Sequence, residues 1–412
     1  MGEYLEDQRA EGTSKGEGSF TIEAARARIK QARFQFVDSS HFLLKIFQSL
    51  VQTEPNSLAW TFDRKRTILE ASPKRLYPQL EPTLLLQQMR GAEDSAEPAR
   101  SLQIGLVAAL AKDPTHVVWS RRNESGTQIL TLRGSKVEVK ESTKSGPPLY
   151  RFEVEETPKT RFTNATAAEH ALVAERCAFA KQLVTIDGFP LYGGLRPART
   201  AAWHKNLSTG YYLFQRFDLD PDGGFKVALP AIDKFRHDSA LRLYSRATDL
   251  RNSASTLTWR VDGEIEGSTS SCRSVSALPL SLTGPDLVVA IVDGVSSEAV
   301  EVERDGIGAL FLVEGRGLTF DASGLKPVRD DALEKKLETL RGRVKESIPT
   351  LIRRIEQEGL PALEVMSRRS LFLHLVGRGG PNESEALTQS TLQRLRYLST
   401  SLRGLNSASQ KR

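Results

Sequence analysis

Between residues 115 and 156 the chain runs through "THVVWSRR", "GTQILTLRG", "KVEVKES" and "LYRFEVEE", four segments in which apolar and polar residues alternate. A period of two marks half-buried strands of an antiparallel sheet, one face covered and the other open. Four such strands in succession need something to bury the apolar face, and the flanking sequence offers helices.

"VDSSHFLLKIFQSLVQ" predicts a helix capped by Asp38 or Ser39, with Phe42, Leu43, Ile46, Phe47 and Leu50 forming a wide apolar face. "TIEAARARIKQARFQF" before it reads as another helix, with Thr21 as N-cap. "SLAWTF" and "KRTILEA" predict two strands parted by "DR". "EPTLLLQQMRG" predicts a helix with Pro82 in its first turn and Gly91 as its stop, and "ARSLQIGLVAALAKDP" a further one. After the four strands, "AEHALVAERCAFAKQLVTIDGFPL" predicts a helix around 166–182 and a hairpin turned by Asp187-Gly188. The apolar side of that helix is read as Ala168, Ala171, Leu172, Cys177 and Ala178.

With 412 residues the chain exceeds one ordinary core, so several domains are expected. The expected division is a flexible tail over 1–19, an α+β domain of helices layered on a sheet over 20–192, and a Gly/Pro/Ser-rich linker over 193–210. A β-rich second domain over 211–326 and a helical region with a basic tail over 327–412 complete it. Strands of the second domain are read at "YYLFQRF", "TLTWRVDGEIEG", "PDLVVAIVDG", "IGALFLVEG" and "GLTFD". From 330 onward Leu333, Leu337, Leu340, Val344, Ile348, Leu351 and Ile355 form a near-heptad seam that Pro349 interrupts, read as packing within the chain rather than a dimer coil.

The element order over 20–192 resembles the ATP-binding domain of the GHKL superfamily, the Bergerat-like fold of gyrase-type topoisomerases, ninety-kilodalton heat-shock chaperones, histidine kinases and mismatch-repair ATPases. The resemblance rests on "HFLLKIFQSLVQ", "RTILEASP" and "RSLQIGLVAALAKDPTHVVWSRR", which fall where that family has its Glu/Asn helix, its Asp-Gly-x-Gly strand and its Gly-rich helix and strand. "KTRF" falls where the family has a Gly-Thr-x-Val-like step. The segment from 211 resembles the family's transducer or middle domain.

The resemblance implies a nucleotide pocket whose residues are Lys45, Ser49, Glu70 and Gly105 here. Lys45 stands in place of the Glu that activates water, Ser49 in place of the Asn that helps hold Mg²⁺, and Glu70 in place of the Asp that binds adenine. An ammonium at neutral pH does not serve as that base without a large fall in its pKa. Ala71, Ser72 and Pro73 follow Glu70 where glycines are needed, and Gly105 alone remains of the Gly-rich loop. The expectation is a vestigial pocket without a bound cofactor, with Lys45 and Glu70 solvated or surface-paired. ATP with Mg²⁺ is the alternative.

Other chemistry finds little footing. "DLDPDGG" imitates a calcium loop but has Leu229 where the bidentate acid belongs. The six histidines show no metal-ligand spacing, and the two cysteines, Cys177 and Cys272, have no Cys-x-x-Cys partner. Net charge is +6 with both signs interspersed, so a nucleic-acid groove is not announced; the basic "LQRLRYLSTSLRGLNSASQKR" reads as a solvated end. No apolar run approaches the ~20 residues of a membrane span, and the first residues lack the apolar core of a secretory signal. The expectations are a cytoplasmic scaffold or adaptor without catalysis, no membrane, and a protein partner or self-association through the C-terminal helices, with nucleic acid as a lesser alternative partner. The alternative is a chaperone-like ATPase with diverged motifs.

Overall fold

The computed structural model describes residues 36, 38–90, 96–134, 136–158, 165–197, 211–219, 224–228, 241–246, 257–260, 269–279, 286–303, 309–358 and parts of 389–400. The helix expected at 21–36 (Phe36 apart), the calcium-like turn at 220–223 and the apolar "LFLHLV" lie outside the described residues. The fold is mixed α+β and divides into two compact units, Met1–His170 and Ala171–Arg412. That division falls inside a helix, ahead of the 193–210 segment read as a linker.

The first unit contains α1 (Phe42–Val51), β1 (Pro55–Phe62), β2 (Arg66–Pro73), α2 (Pro82–Arg90), α3 (Ala99–Ala109), β3 (His116–Asn123), β4 (Gly126–Arg133), β5 (Lys136–Ser142) and β6 (Leu149–Glu155). Among the described residues its strands pair antiparallel in the order β1-β2-β6-β3-β4-β5. Short polar side chains make the turns. Asp38 Oδ1 accepts the Ser40 N–H ahead of α1. Asp63 Oδ1 accepts from Lys65 and Arg66 N–H between β1 and β2, and Asn123 Oδ1 from Ser125 and Gly126 between β3 and β4.

The alternating residues of these strands split cleanly between faces. Leu69, Ala71, Val117, Trp119, Tyr150 and Phe152 are buried on one face. The Phe42 ring lies 6.1 Å from Phe152 and the Phe47 ring 6.2 Å from Trp60, so α1 covers that same face. Trp119 stacks on Tyr150 at 5.3 Å. Their polar atoms are met: Trp119 Nε1 donates to the Leu80 carbonyl at 3.0 Å, and Tyr77 N–H donates to Tyr150 Oη at 2.6 Å.

Helix α4 (Ala167–Arg176) begins in the first unit and ends in the second. It is shorter than the 166–182 expected, because Cys177–Ala180 leave the helix as a buried non-helical segment. Of the expected apolar set Cys177 and Ala178 are buried, just beyond the helix, but the helix itself turns a different face inward. Glu169, Val173 and Arg176 are buried, while Ala168 and Ala171 are exposed.

The second unit continues with β7 (Leu183–Ile186), β8 (Phe189–Pro197), β9 (Tyr211–Leu219), β10 (Phe225–Ala228), β11 (Leu241–Arg246), β12 (Leu257–Arg260) and β13 (Thr269–Pro279). Then come β14 (Asp286–Val292), β15 (Val295–Ser296), β16 (Val300–Glu303), β17 (Leu310–Glu314) and α5 (Asp331–Glu358). β13 pairs antiparallel with β9, β10 and β17, and β17 runs parallel to β14. Asp187-Gly188 and Asp293-Gly294 take positive φ at both residues, as two-residue hairpin turns require. "GLTFD" forms no strand; Phe320 makes a single bridge to Pro327.

The leucine seam is an internal surface of this unit. Leu333, Leu337, Leu340, Val344 and Ile348 are buried with Val288, Ala290, Phe311 and Val313 of the sheet in one core. Arg341 Nη2 lies 2.7 Å from Asp286 Oδ2, and Asp286 Oδ1 accepts the Ala309 N–H, which fixes α5 against β14 and the start of β17. No helix among the described residues is long and apolar enough to cross a membrane.

Candidate functional site

Lys45, Ser49 and Gly105 lie on α1 and α3, the two helices that meet at Gly105. A side-chain carbon at Gly105 would meet Ile46 Cδ1 at 2.5 Å and the Phe42 carbonyl oxygen at 3.1 Å, so glycine fits here without displacing a neighbour and any larger residue must move Ile46. Helix α1 is buried on all sides from Phe42 to Leu50, which includes Lys45, expected to be solvated, and Ser49. Ser49 Oγ is wholly enclosed and has no hydrogen-bond partner among the described residues.

Glu70 is separated from these three. Its neighbours in β2, Leu69 and Ala71, are buried on the face that α1 covers, so the strand alternation turns Glu70 to the other side. There Glu70 Oε1 lies 2.9 Å from Arg151 Nη1, and Arg151 Nη2 is 2.7 Å from Glu153. Those two carboxylates hold the Arg151 guanidinium above its ordinary pKa despite its partial burial. The pairing agrees with the surface-paired reading of Glu70. The four residues therefore do not converge on one pocket. The inward position next to Glu70 is Ala71, which brings no polar atom.

A buried ionic cluster is the first unit's most unusual polar feature. Lys112, at the end of the short 3₁₀ turn after α3, forms ion pairs with Glu156 Oε1 (2.6 Å) and with Glu169 Oε1 in the first turn of α4. Ser40 Oγ donates to the same Glu169 oxygen at 3.4 Å. Glu169 is fully buried, and its Oε2 has no hydrogen-bond partner among the described residues. The Lys112 side chain thus meets two carboxyl groups from separate segments, the fully buried Glu169 and the partly buried Glu156. Sequence reasoning missed this group because positions 40, 112, 156 and 169 share no spacing, and an acid in a helix's first turn reads as a solvated one.

In the second unit Arg176 is buried and its Nε donates to the Ser296 carbonyl at 2.7 Å. The following segment is held by Phe179 N–H to the Gly294 carbonyl and Lys226 N–H to the Phe179 carbonyl, both at 3.1 Å. Burial pushes the Cys177 thiol far above its ordinary range, against the opposing pull of Arg176. Cys272 is buried as well. A thiol held in that state is a small hydrophobe, not a nucleophile. Among the described residues no group of three or more His, Cys, Asp or Glu is placed to hold a metal ion.

No protein-family model matches the chain, and no curated protein matches it.

Proposed function

We propose that the first unit is a GHKL-type domain, Bergerat-like in its helix-on-sheet layering, that has lost nucleotide chemistry, and that the chain acts as a non-catalytic scaffold or adaptor. The observation that carries this reading is the contact of α1 and α3 at Gly105. In the reading, Gly105 lets two helices touch through Ile46, where a phosphate-cradling glycine would leave backbone N–H groups open to an anion.

Two further features support it. The acid that the resemblance assigns to adenine, Glu70, is engaged with Arg151 on the opposite face of the sheet. The residue that points under α1 instead is Ala71, which accepts no hydrogen bond from a base. Lys45 and Ser49 remain on α1 as the successors of the general base and the metal-binding amide, and neither side chain supplies that chemistry.

Function then rests on surfaces. The partner-binding region is assigned to the chain from about 327, as protein capture or self-association. Since Leu333 to Ile348 of the seam are buried within the unit, the partner surface there is the polar side of α5 bearing Lys335, Glu338, Glu346 and Arg353.

Phosphate release from Mg-ATP by the full chain tests the absence of catalysis. The expected rate equals that of buffer, and Lys45→Ala leaves it unchanged. Turnover above background that Lys45→Ala or Ser49→Ala abolishes would instead support a diverged ATPase.

A further inference from the structure

The β5 strand is an open edge. It pairs with β4 from Arg133↔Lys136 to Thr127↔Ser142 and with no other strand among the described residues. Lys136, Glu138, Lys140, Glu141 and Ser142 are exposed, so the backbone groups that point away from β4 face solvent. Such an edge is a template for another strand unless its side chains forbid the pairing.

The side chains of β5 select their partner. Lys136, Glu138 and Lys140 alternate in sign along one face, while Val137 and Val139 turn to the other, opposite Leu132 and Leu130. Consider two copies of β5 laid antiparallel about a two-fold axis through Val139. Glu138 of each copy then stands opposite Lys140 of the other, Val139 meets Val139, Lys136 meets Ser142, and on the valine face Val137 meets Glu141. Moving the axis to Glu138 sets Glu138 against itself and Lys136 against Lys140; moving it to Lys140 sets Lys140 against itself. Opposite charges directly across a strand pair stabilise it and like charges destabilise it, so the registers one residue away are disfavoured. The slip of two that puts Val137 on the axis, though it sets Glu138 opposite Lys136, pairs only residues 136–138 where the Val139 register pairs the whole strand.

We propose that β5 is a self-association edge, through which two copies of the chain join their first-unit sheets antiparallel with Val139 on the axis. Within one chain Lys140 Nζ lies 3.1 Å from Glu138 Oε1, with side chains 66% and 58% exposed. An ion pair so exposed contributes little and readily exchanges for the two intermolecular pairs.

Sedimentation equilibrium of the full chain tests this. A concentration-dependent dimer is expected. Glu138→Lys or Lys140→Glu alone weakens it by about tenfold or more, since each sets like charges opposite at both pairs. The double reversal Glu138→Lys/Lys140→Glu restores association. Both positions are exposed, so folding is not at stake, and circular dichroism confirms it. A chain that stays monomeric overturns the proposal. So does a dimer indifferent to both single reversals, which puts the interface elsewhere, or a double reversal that fails to recover.

Discussion

Ile46 Cδ1 lies 2.5 Å from the point where a side-chain carbon on Gly105 would begin, with Ile46 Cγ1 at 2.8 Å. The glycine thus sets how closely α1 approaches α3. Replacing it with alanine brings two opposed effects: a helix-propensity gain of about 1 kcal/mol and an overpacking cost of about 1–3 kcal/mol. With a backbone oxygen also at 3.1 Å, little relaxation is open, and overpacking wins. Gly105→Ala is predicted to lower the first unit's stability in urea unfolding. In an Ile46→Ala background, where the two atoms under 3 Å are gone and only the milder contact with the Phe42 oxygen remains, the same change is predicted to stabilise.

Lys112 is predicted to be the costliest single charge to remove. Lys112→Met leaves the buried Glu169 and the partly buried Glu156 without their cation, a loss of about 3–5 kcal/mol for a buried pair broken on one side. Adding Glu169→Gln removes the more buried of the two charges and should recover most of that loss. Urea midpoints of the two variants check the order; equal stability of single and double variants contradicts it.

These two sites show what the sequence made legible and what it did not. The strands from His116 to Glu155 were readable because their two-residue period survives in a sheet with one covered face. β13, "TSSCRSVSALP", was not, since its serines read as loop, yet Ser274 and Ser276 are buried in the strand. Glu70 illustrates a sharper limit. A strand's chemistry changes face with every residue, so a motif placed one position off assigns Glu70 where Ala71 points. For α4, the apolar pattern favoured Ala168 and Ala171, but Glu169 and Arg176 are buried because their partners come from distant segments. No local pattern encodes those partners.

Helix α5 is predicted to be indispensable to the second unit. Leu337→Ala leaves a cavity in the shared core and should cost about 2–5 kcal/mol. A chain ended at residue 330 loses Leu333 to Ile348 entirely, and the second unit is expected to unfold while the first keeps its protected amides. Hydrogen exchange read peptide by peptide distinguishes this from a cut that leaves both units folded.

Acid should loosen the start of α5. Hydrogen bonds from the Thr319 side chain and the Leu333 N–H hold the Asp330 carboxyl below its ordinary value of 3.8. Burial raises the Asp321 carboxyl, but the Ser323 hydroxyl and the N–H groups of Leu325, Lys326 and Gly324 outweigh it, and Asp321 is lowered too. A lowered folded pKa gives stability that is complete above the unfolded value and fades as pH falls through the folded one. Exchange protection of α5 is therefore predicted to fall below about pH 4, and Asp330→Asn, which caps without titrating, to flatten that dependence.

In the proposed reading α1 and α3 close on each other at Gly105 where a nucleotide would sit, which leaves nucleotide no site on the folded chain. Thermal melting of the full chain with Mg-ATP and with Mg-ADP tests this most directly, because a ligand that binds only the folded chain stabilises it by about 2.7 kcal/mol at a hundredfold excess over Kd. The midpoint is predicted to be unchanged by millimolar nucleotide, in the native chain and in Lys45→Ala alike. A saturable rise with either nucleotide, lost in Ser49→Ala or in Gly105→Ala, would contradict it.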